Sequence, residues 1–473
     1  MVFIRYKTFG KQEYAYQIRS YWDSKTQKPK QKTVYLGVVV DKSQKIFEKR
    51  LSHPKQEKLI LDFGDSYFIK EFFEKVKFSK LIENVFGDKK NFFLSLINYR
   101  LCYPSAMRFS KIWFEGNYAK ICYPLADLSS QRISDFLKYL GDENLQRTFF
   151  KQYIPNYAES NEGIIIDATS LPNQIHMPIT QWGLSGEEID KQIRFLLVID
   201  KKSSMPLFFR YFSGNIVDVS TLKNTIKELQ KFGIRENYVY MDAGFFSEDN
   251  IKELYEQKIN FLTRLPSLRT IYKELIISEA KNIERYENAV RYGRRALFIR
   301  QKKINLFGKD AFAYVILDPE RKGRETKNFL LQNIKNKENS IEELDYEMAK
   351  RGIMILVSSF GIKNEEVVPA YYIRQTAEKL FGFSKDDLNL LPLRIHSEEA
   401  LRGFLFMQFV TLIAFVSIKN KIGNKHNVEE ILLKLRNLKC KVYDDEIIIY
   451  EPNKQQKEIL EKLDILMPKK LGI

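Results

Sequence analysis

The sequence predicts a mixed α/β fold, and three observations carry that reading. From Glu162 onward, apolar β-forming runs alternate with segments of helical periodicity, the grammar of a sheet covered by helices. Two of these runs, Ile164-Ile165-Ile166 and Tyr238-Val239-Tyr240-Met241, each close on an aspartate, Asp167 and Asp242. Upstream, the chain is first β-rich and then helical, so the sheet domain belongs to a larger assembly.

At 473 residues the chain is long enough for two to four domains. Hydrophobic residues make up 44% and charged residues 29%, which suits a folded chain with a real core rather than a disordered one. The net charge of +17, from 77 Lys and Arg against 60 Asp and Glu, points to a polyanionic partner, of which nucleic acid is the commonest. Cys102, Cys122 and Cys440 follow no Cys-x-x-Cys spacing, so neither a disulfide frame nor a zinc site is expected. The four histidines are isolated, which argues against a His-rich metal centre. The N-terminus lacks the apolar run of a secretion signal. Leu401–Ile418 approaches membrane length but carries Arg402 and Gln408, so it reads as a buried core helix. A cytoplasmic protein without a membrane partner is expected.

Taken in order, residues 1–50 form a small basic β unit. VFIRYKT, EYAYQIRSYW and KTVYLGVVV supply β-formers around turn-like stretches. Cations outnumber anions there, with Tyr6, Tyr14, Tyr16, Tyr21 and Trp22 interleaved. Two readings fit: contact with DNA backbone and base faces, or a solvated sheet with aromatic cross-strand pairs. Residues 57–158 show 3.6-type apolar spacing and form a helical domain, a candidate reader of DNA ends without a strict helix-turn-helix pattern. Ser129-Ser130 is placed to cap the helix of QRISDFLKYL.

The sheet domain comprises residues 159–265 and 351–420. GIIIDATSLP is a strand, RFLLVIDKKSSMPLFFRYF a hairpin and VSTLKNTIKELQKFG a helix; the strand NYVYMDAG, the helix SEDNIKELYEQK and the strand INFLTRL follow. Residues 266–350 are a β-rich, basic insertion ending in a charged helical stretch, after which GIMILVSSF returns to strand. Residues 421–473 form a C-terminal helical and hairpin region, a candidate for dimerisation.

The stretch YYIRQTAEKLFGFSK, Tyr371–Lys385, has no Pro and a single Gly, so one helix is expected across it, Gly382 costing ~1 kcal/mol against Ala. On a helix turning ~100° per residue, Tyr371, Arg374, Glu378 and Lys385 fall within about 60° of one another. A solvated face with an Arg374–Glu378 ion pair at i,i+4 fits that stripe. So does a metal-binding glutamate whose cationic and aromatic neighbours grip a phosphodiester.

Asp167 and Asp242, each read as closing a buried strand, project into the crevice where α/β sheets bind ligands. With Glu378, three carboxylates can converge. Such a cluster raises its own pKa values, and a hard divalent cation resolves the conflict. Two Mg²⁺ ions ~4 Å apart, with Mn²⁺ able to substitute, would activate a water or 3′-hydroxyl and steady the leaving oxygen. Asp200 and Asp318 also end apolar runs, but each leads into a turn.

The spacing Tyr371, Arg374, Glu378, Lys385 resembles the YREK signature of the insertion-sequence-four superfamily of DDE transposases. Asp242-Ala243-Gly244-Phe245 is similar to that family's second-Asp motif and Ile166-Asp167-Ala168-Thr169 to its first; Ser213–Asp218 with Thr221-Leu222 resembles a stretch between them. The likeness spans roughly residues 160–420. It implies a ribonuclease-H-like catalytic fold with a β-rich insertion between the second Asp and the Glu. It further implies Mg²⁺-dependent cut-and-paste transposition by a homodimer on double-stranded DNA, cutting at terminal inverted repeats and joining to target DNA in a prokaryotic cytoplasm, associated with the nucleoid. Asp167, Asp242 and Glu378 would hold the metals; Tyr371, Arg374 and Lys385 would grip DNA near the cleaved end. Trp22, Trp113 and Trp182 all lie outside the insertion, where some relatives place a base-stacking Trp, so the hairpin step stays open. Two other readings also remain: a metal-dependent nuclease without strand transfer, and a non-catalytic DNA-binding descendant.

Overall fold

The computed structural model describes residues 2–10, 12–23, 27–49, 57–157, 162–185, 188–216, 218–234, 238–333, 340–423 and 426–472. The chain divides into two units: Met1–Ile60 with Lys441–Ile448 and Lys470–Ile473, and Leu61–Cys440 with Ile449–Lys469.

The first unit is built on a four-stranded antiparallel sheet, β1 (Val2–Phe9), β2 (Gln12–Asp23), β3 (Lys28–Asp41) and β4 (Ile46–Glu48), in sequential order. A bulge at Ala15-Tyr16 shifts the β2–β3 register. Gly37 sits at φ +138°, and an added Cβ there would lie 2.6 Å from the Glu48 carbonyl group, so β4 closes over a position only glycine fills.

The second unit opens with helices, among them α1 (Gly64–Lys75), α2 (Phe78–Phe86), α3 (Lys90–Cys102), α4 (Ser130–Leu140) and α5 (Glu143–Tyr157). Ser129 stands at the N-cap of α4 in extended conformation, but its side chain makes no capping hydrogen bond; its amide instead donates to Asp127 Oδ1 at 3.0 Å. The strands follow: β5 (Ile164–Pro172), β6 (Gln181–Ser185), β7 (Glu188–Asp200), β8 (Pro206–Ser213), then helix α6 (Leu222–Lys231), β9 (Tyr238–Met241), α7 (Glu248–Glu256) and β10 (Asn260–Arg264). β5, β7 and β8 form an antiparallel meander, and β9 and β10 add to its other side parallel to β5, giving the spatial order β8-β7-β5-β9-β10. That is the ribonuclease-H-like mixed sheet. Asp200 ends β7 as a turn residue, accepting from the Ser203 amide and hydroxyl at 2.7 Å each.

The inserted segment does not stand apart from this sheet. After α8 (Thr270–Glu279), strands β11 (Ala289–Tyr292), β12 (Arg295–Leu306) and β13 (Lys309–Leu317) lead through helices α9 (Pro319–Asn333) and α10 (Ile341–Ala349) to β14 (Ile353–Ser358). β14 pairs with both β10 and β13, so the insertion extends the central sheet to ten strands. Continuous burial of Ala313–Leu317 in β13 and full burial of β14 explain this: both strands need cover on both faces and pairing at both edges, and the existing sheet edge supplies one of them.

Helices α11 (Asn364–Tyr372) and α12 (Gln375–Gly382) come next, then α13 (Glu398–Ile422). α13 is a core helix, with 89% of its most apolar window buried. Phe406 at its centre meets Phe86, Phe93, Phe149 and Phe150 from the helices and Phe209 from β8, joining helices and sheet through one aromatic cluster. Two short strands, Lys439–Val442 and Glu446–Ile449, and a helix, Lys454–Lys462, follow in the tail.

α13 and α4 touch backbone to backbone. A Cβ on Gly403 would fall 1.8 Å from the Leu137 carbonyl oxygen, and one on Gly141 would fall 2.2 Å from that of Glu399. Gly403→Ala therefore has to push the helices apart, and we expect it to lower unfolding free energy by ~2 kcal/mol or more. Thermal and urea melts check this; a variant as stable as the wild type would contradict the close approach.

Candidate active site

Asp167 and Asp242 meet because two parallel strands are in register. Met241, the last residue of β9, lies beside Ile166 on β5, so the aspartates that follow come level on neighbouring strands. Asp167 is not at a strand end, however. β5 runs on to Pro172, because β7 on its other side keeps pairing as far as Gln192. The crevice forms where β9 stops, and the longer β5 forms one wall of it.

The third carboxylate arrives on a broken helix rather than a continuous one. α11 carries Pro369, which cannot donate to the preceding turn, and ends at Tyr372. The amides of Arg374, Thr376 and Ala377 then bond three residues back instead of four, an overwound turn that eclipses positions three apart. α12 follows, and beyond Gly382 the chain widens into a π turn, Phe383–Asp387, where the Leu388 amide reaches back to Phe383. One tight turn and one wide turn replace the even stripe expected over Tyr371–Lys385. Tyr371, Arg374 and Lys385 still reach Asp242 or β5, and Glu378 reaches Arg374.

Their meeting point is the Arg374 guanidinium. It lies 3.3 Å from Asp167 Oδ2, 3.6 Å from Asp242 Oδ1 and 3.3 Å from Glu378 Oε1. The intrahelical Arg374–Glu378 pair of a solvated face is thus present, but the same group also reaches two carboxylates on separate strands. The Arg374 side chain is only 18% exposed, and its buried Nε has no hydrogen-bond partner among the described residues. Tyr371, itself buried, donates its hydroxyl to Asp242 Oδ1 at 3.0 Å and lies under the guanidinium at 5.3 Å. Tyr372, next in sequence, stacks on Tyr292 of β11 at 5.7 Å, tying the insertion to the helix that leads into the site.

Electrostatics follow from this crowding. Burial pushes the Asp167 carboxyl up to about 7; Arg374 and the Ala168 amide, 2.9 Å away, pull it down, while Asp242 and Glu378 add to the rise. Burial also raises the Tyr371 phenol, with Asp242 adding to it. Burial opposes the charge on Arg374, yet Tyr371, Asp242 and Asp167 together hold it above its ordinary value.

Lys385 donates to Thr169 Oγ1 at 2.8 Å, which places its ammonium on the strand that bears Asp167. Burial holds that ammonium below the ordinary lysine range; Asp386 opposes this and Arg194 reinforces it. In the sequence Thr169 stands out only as the end of the first-Asp motif, without a role, and Arg194 does not stand out. Thr169 lies two residues past Asp167 and so shares its face of β5, and Arg194 is a cation within the apolar run of β7, donating to Ser170 Oγ at 2.9 Å. Both signals were there to read.

The structure therefore brings all six residues singled out in the sequence to one crevice. Among the described residues no three acidic, histidine or cysteine side chains are drawn together tightly enough to hold a metal ion as they stand, because the guanidinium lies between the carboxylates. Their donor set is all oxygen, which suits a hard divalent cation once Arg374 gives way.

A family model described as "Transposase DDE domain" matches residues 159–414, more than half of the chain. Among solved structures, a cryo-EM structure of a piggyBac transposase synaptic complex with hairpin DNA matches with a TM-score of 0.41 and 14% sequence identity, over 78% of this chain and 70% of that one. No curated protein matches.

The geometry separates Arg374 from its helical neighbour. In metal-free protein, Arg374→Ala leaves Asp167 and Asp242 facing each other without a cation and should cost ~1–3 kcal/mol. Glu378→Gln removes only a 54% exposed carboxylate and should cost less than ~0.5 kcal/mol. Urea unfolding of both variants checks this; two equally small losses would contradict the bridging role.

Proposed function

Because the chain belongs to the Transposase DDE domain family, we propose that it is a DNA transposase that cuts at transposon inverted-repeat ends and joins the freed 3′ ends to target DNA. The observation that carries this reading is the convergence of Asp167, Asp242 and Glu378, from three distant segments, on one guanidinium where β9 ends beside β5. In this reading Asp167, Asp242 and Glu378 are the catalytic carboxylates and hold Mg²⁺ or Mn²⁺. When bound, such ions supply a Lewis acid that activates water or a 3′-hydroxyl and steadies the leaving oxygen.

The chain's own groups do the positioning. The Tyr371 hydroxyl occupies one oxygen of Asp242 and so fixes which lone pairs remain for a cation. Arg374 neutralises the carboxylates in the absence of DNA and passes to a phosphate when DNA arrives, where its planar fork binds bidentately. Lys385, held on Thr169, supplies a second cation on the side of Asp167. This division of roles agrees with the resemblance to the insertion-sequence-four superfamily. Synapsis of two transposon ends then calls for a homodimer on DNA.

Three substitutions test the assignment. Asp167→Asn, Asp242→Asn and Glu378→Gln should each lower Mg²⁺-dependent cleavage of inverted-repeat DNA by ~10³-fold or more, several kcal/mol of transition-state stabilisation. Binding of the same DNA, set by phosphate contacts, should stay close to wild type. A variant that cuts normally removes its residue from the catalytic set.

Strand transfer separates a transposase from a nuclease. Incubating precleaved ends with supercoiled plasmid and Mg²⁺ should join the 3′ ends to the plasmid, seen as labelled product. Cleavage without any joining would favour a nuclease and overturn the transposase reading.

A further inference from the structure

We propose that residues 19–23 and 28–32 form a projecting two-stranded β-ribbon that docks on duplex DNA. The inference rests on the transposase reading for its partner, but its evidence lies in the first unit. Among the described residues, β1 pairs with β2 only as far as Arg19, and β4 pairs with β3 only from Val38 to Asp41. The β2–β3 pairing nevertheless continues through Ser20–Gln31, Tyr21–Lys30 and Trp22–Pro29 to Asp23–Lys28. The two strands thus run on past both neighbours for ~14 Å at ~3.4 Å per residue.

One face of this ribbon is cationic. Residues directly opposite in an antiparallel pair share a face, so Arg19 with Lys32, Tyr21 with Lys30, and Asp23 with Lys28 lie together. Asp23 is the one acid in the set and is ion-paired with Lys30. Arg19, Lys28 and Lys32 are exposed and have no acidic partner among the described residues. Placing Arg19 opposite Lys32 destabilises the sheet, and among the described residues no acid pairs with either. A polyanion would relieve that repulsion. Tyr21 is 49% exposed on the same face, and Trp22 is 61% exposed on the reverse, so neither ring contributes to a core.

Charge and dimension together select the partner. A two-stranded ribbon fits the ~12 Å major groove of B-DNA. Its cations then reach the phosphates, and Tyr21 lies between them. An acidic protein surface would satisfy the charges but gives no reason for a ribbon that projects beyond its own sheet.

The test uses the full-length chain, a short random-sequence DNA duplex and fluorescence anisotropy over a range of KCl. The triple variant Arg19→Ala, Lys28→Ala, Lys32→Ala should lower the slope of log K against log salt by about two to three, at ~0.9 per lost phosphate contact. It should also weaken binding roughly tenfold near physiological salt, with thermal stability equal to the wild type or slightly higher, because the Arg19–Lys32 repulsion is gone. In parallel, a photoreactive benzophenone side chain in place of Tyr21 should crosslink to the duplex. If the wild type binds and cuts DNA while the triple variant keeps its slope, or position 21 gives no crosslink, the ribbon assignment falls alone. If the wild type binds no duplex at all, both this assignment and the transposase reading fall.

Discussion

One guanidinium among three carboxylates is the interaction on which the site depends. Asp167, Asp242 and Glu378 come from segments far apart in the chain, and like charges at this range repel. Arg374 allows them to face one crevice without a metal. The fold is arranged to make that possible. Parallel register brings two aspartates level, the end of β9 opens the crevice, and an overwound turn swings Arg374 toward the strands. Burial then raises the Asp167 carboxyl toward neutrality against the pull of Arg374; in the function proposed above, a cation or a phosphate would rearrange the site. A half-buried arginine whose Nε has no hydrogen-bond partner among the described residues is a costly group to keep for stability alone.

Rigidity behind the crevice comes from the aromatic cluster around Phe406 and from the glycine contacts between α13 and α4. Closely packed interiors do not deform continuously, so the sheet edge is a fixed platform while α11, α12 and the π turn carry the irregular backbone. In the proposed function, these irregular turns beside a rigid sheet would let Arg374 change partners. Basic character is distributed differently in the first unit, where Arg19, Lys28 and Lys32, without an ion pair among the described residues, share one face of a ribbon.

Much of this was legible in the sequence. Apolar runs closing on Asp167 and Asp242, and the alternation of strand and helix after Glu162, specify the mixed sheet. The spacing of Tyr371, Arg374, Glu378 and Lys385 brings these four to one side of the chain even though the helix breaks. Other features were hidden because they depend on partners distant in sequence. That β5 continues past Asp167 follows from β7, and that the insertion joins the central sheet follows from an edge created by β10. The switch from four-residue to three-residue hydrogen bonding after Tyr372 has no marker in YYIRQTAEK, whose residues all tolerate a regular helix. Above all, periodicity pairs Arg374 with Glu378 and gives no hint that the same guanidinium spans to two strands.

The most direct test of the central claim is a crystal structure with Mn²⁺ and a duplex DNA end, read by anomalous scattering. Manganese density bounded by Asp167, Asp242 and Glu378 is expected, with the Arg374 guanidinium moved onto a DNA phosphate. Manganese absent from that crevice, with Arg374 still bridging the three carboxylates beside bound DNA, would contradict the claim.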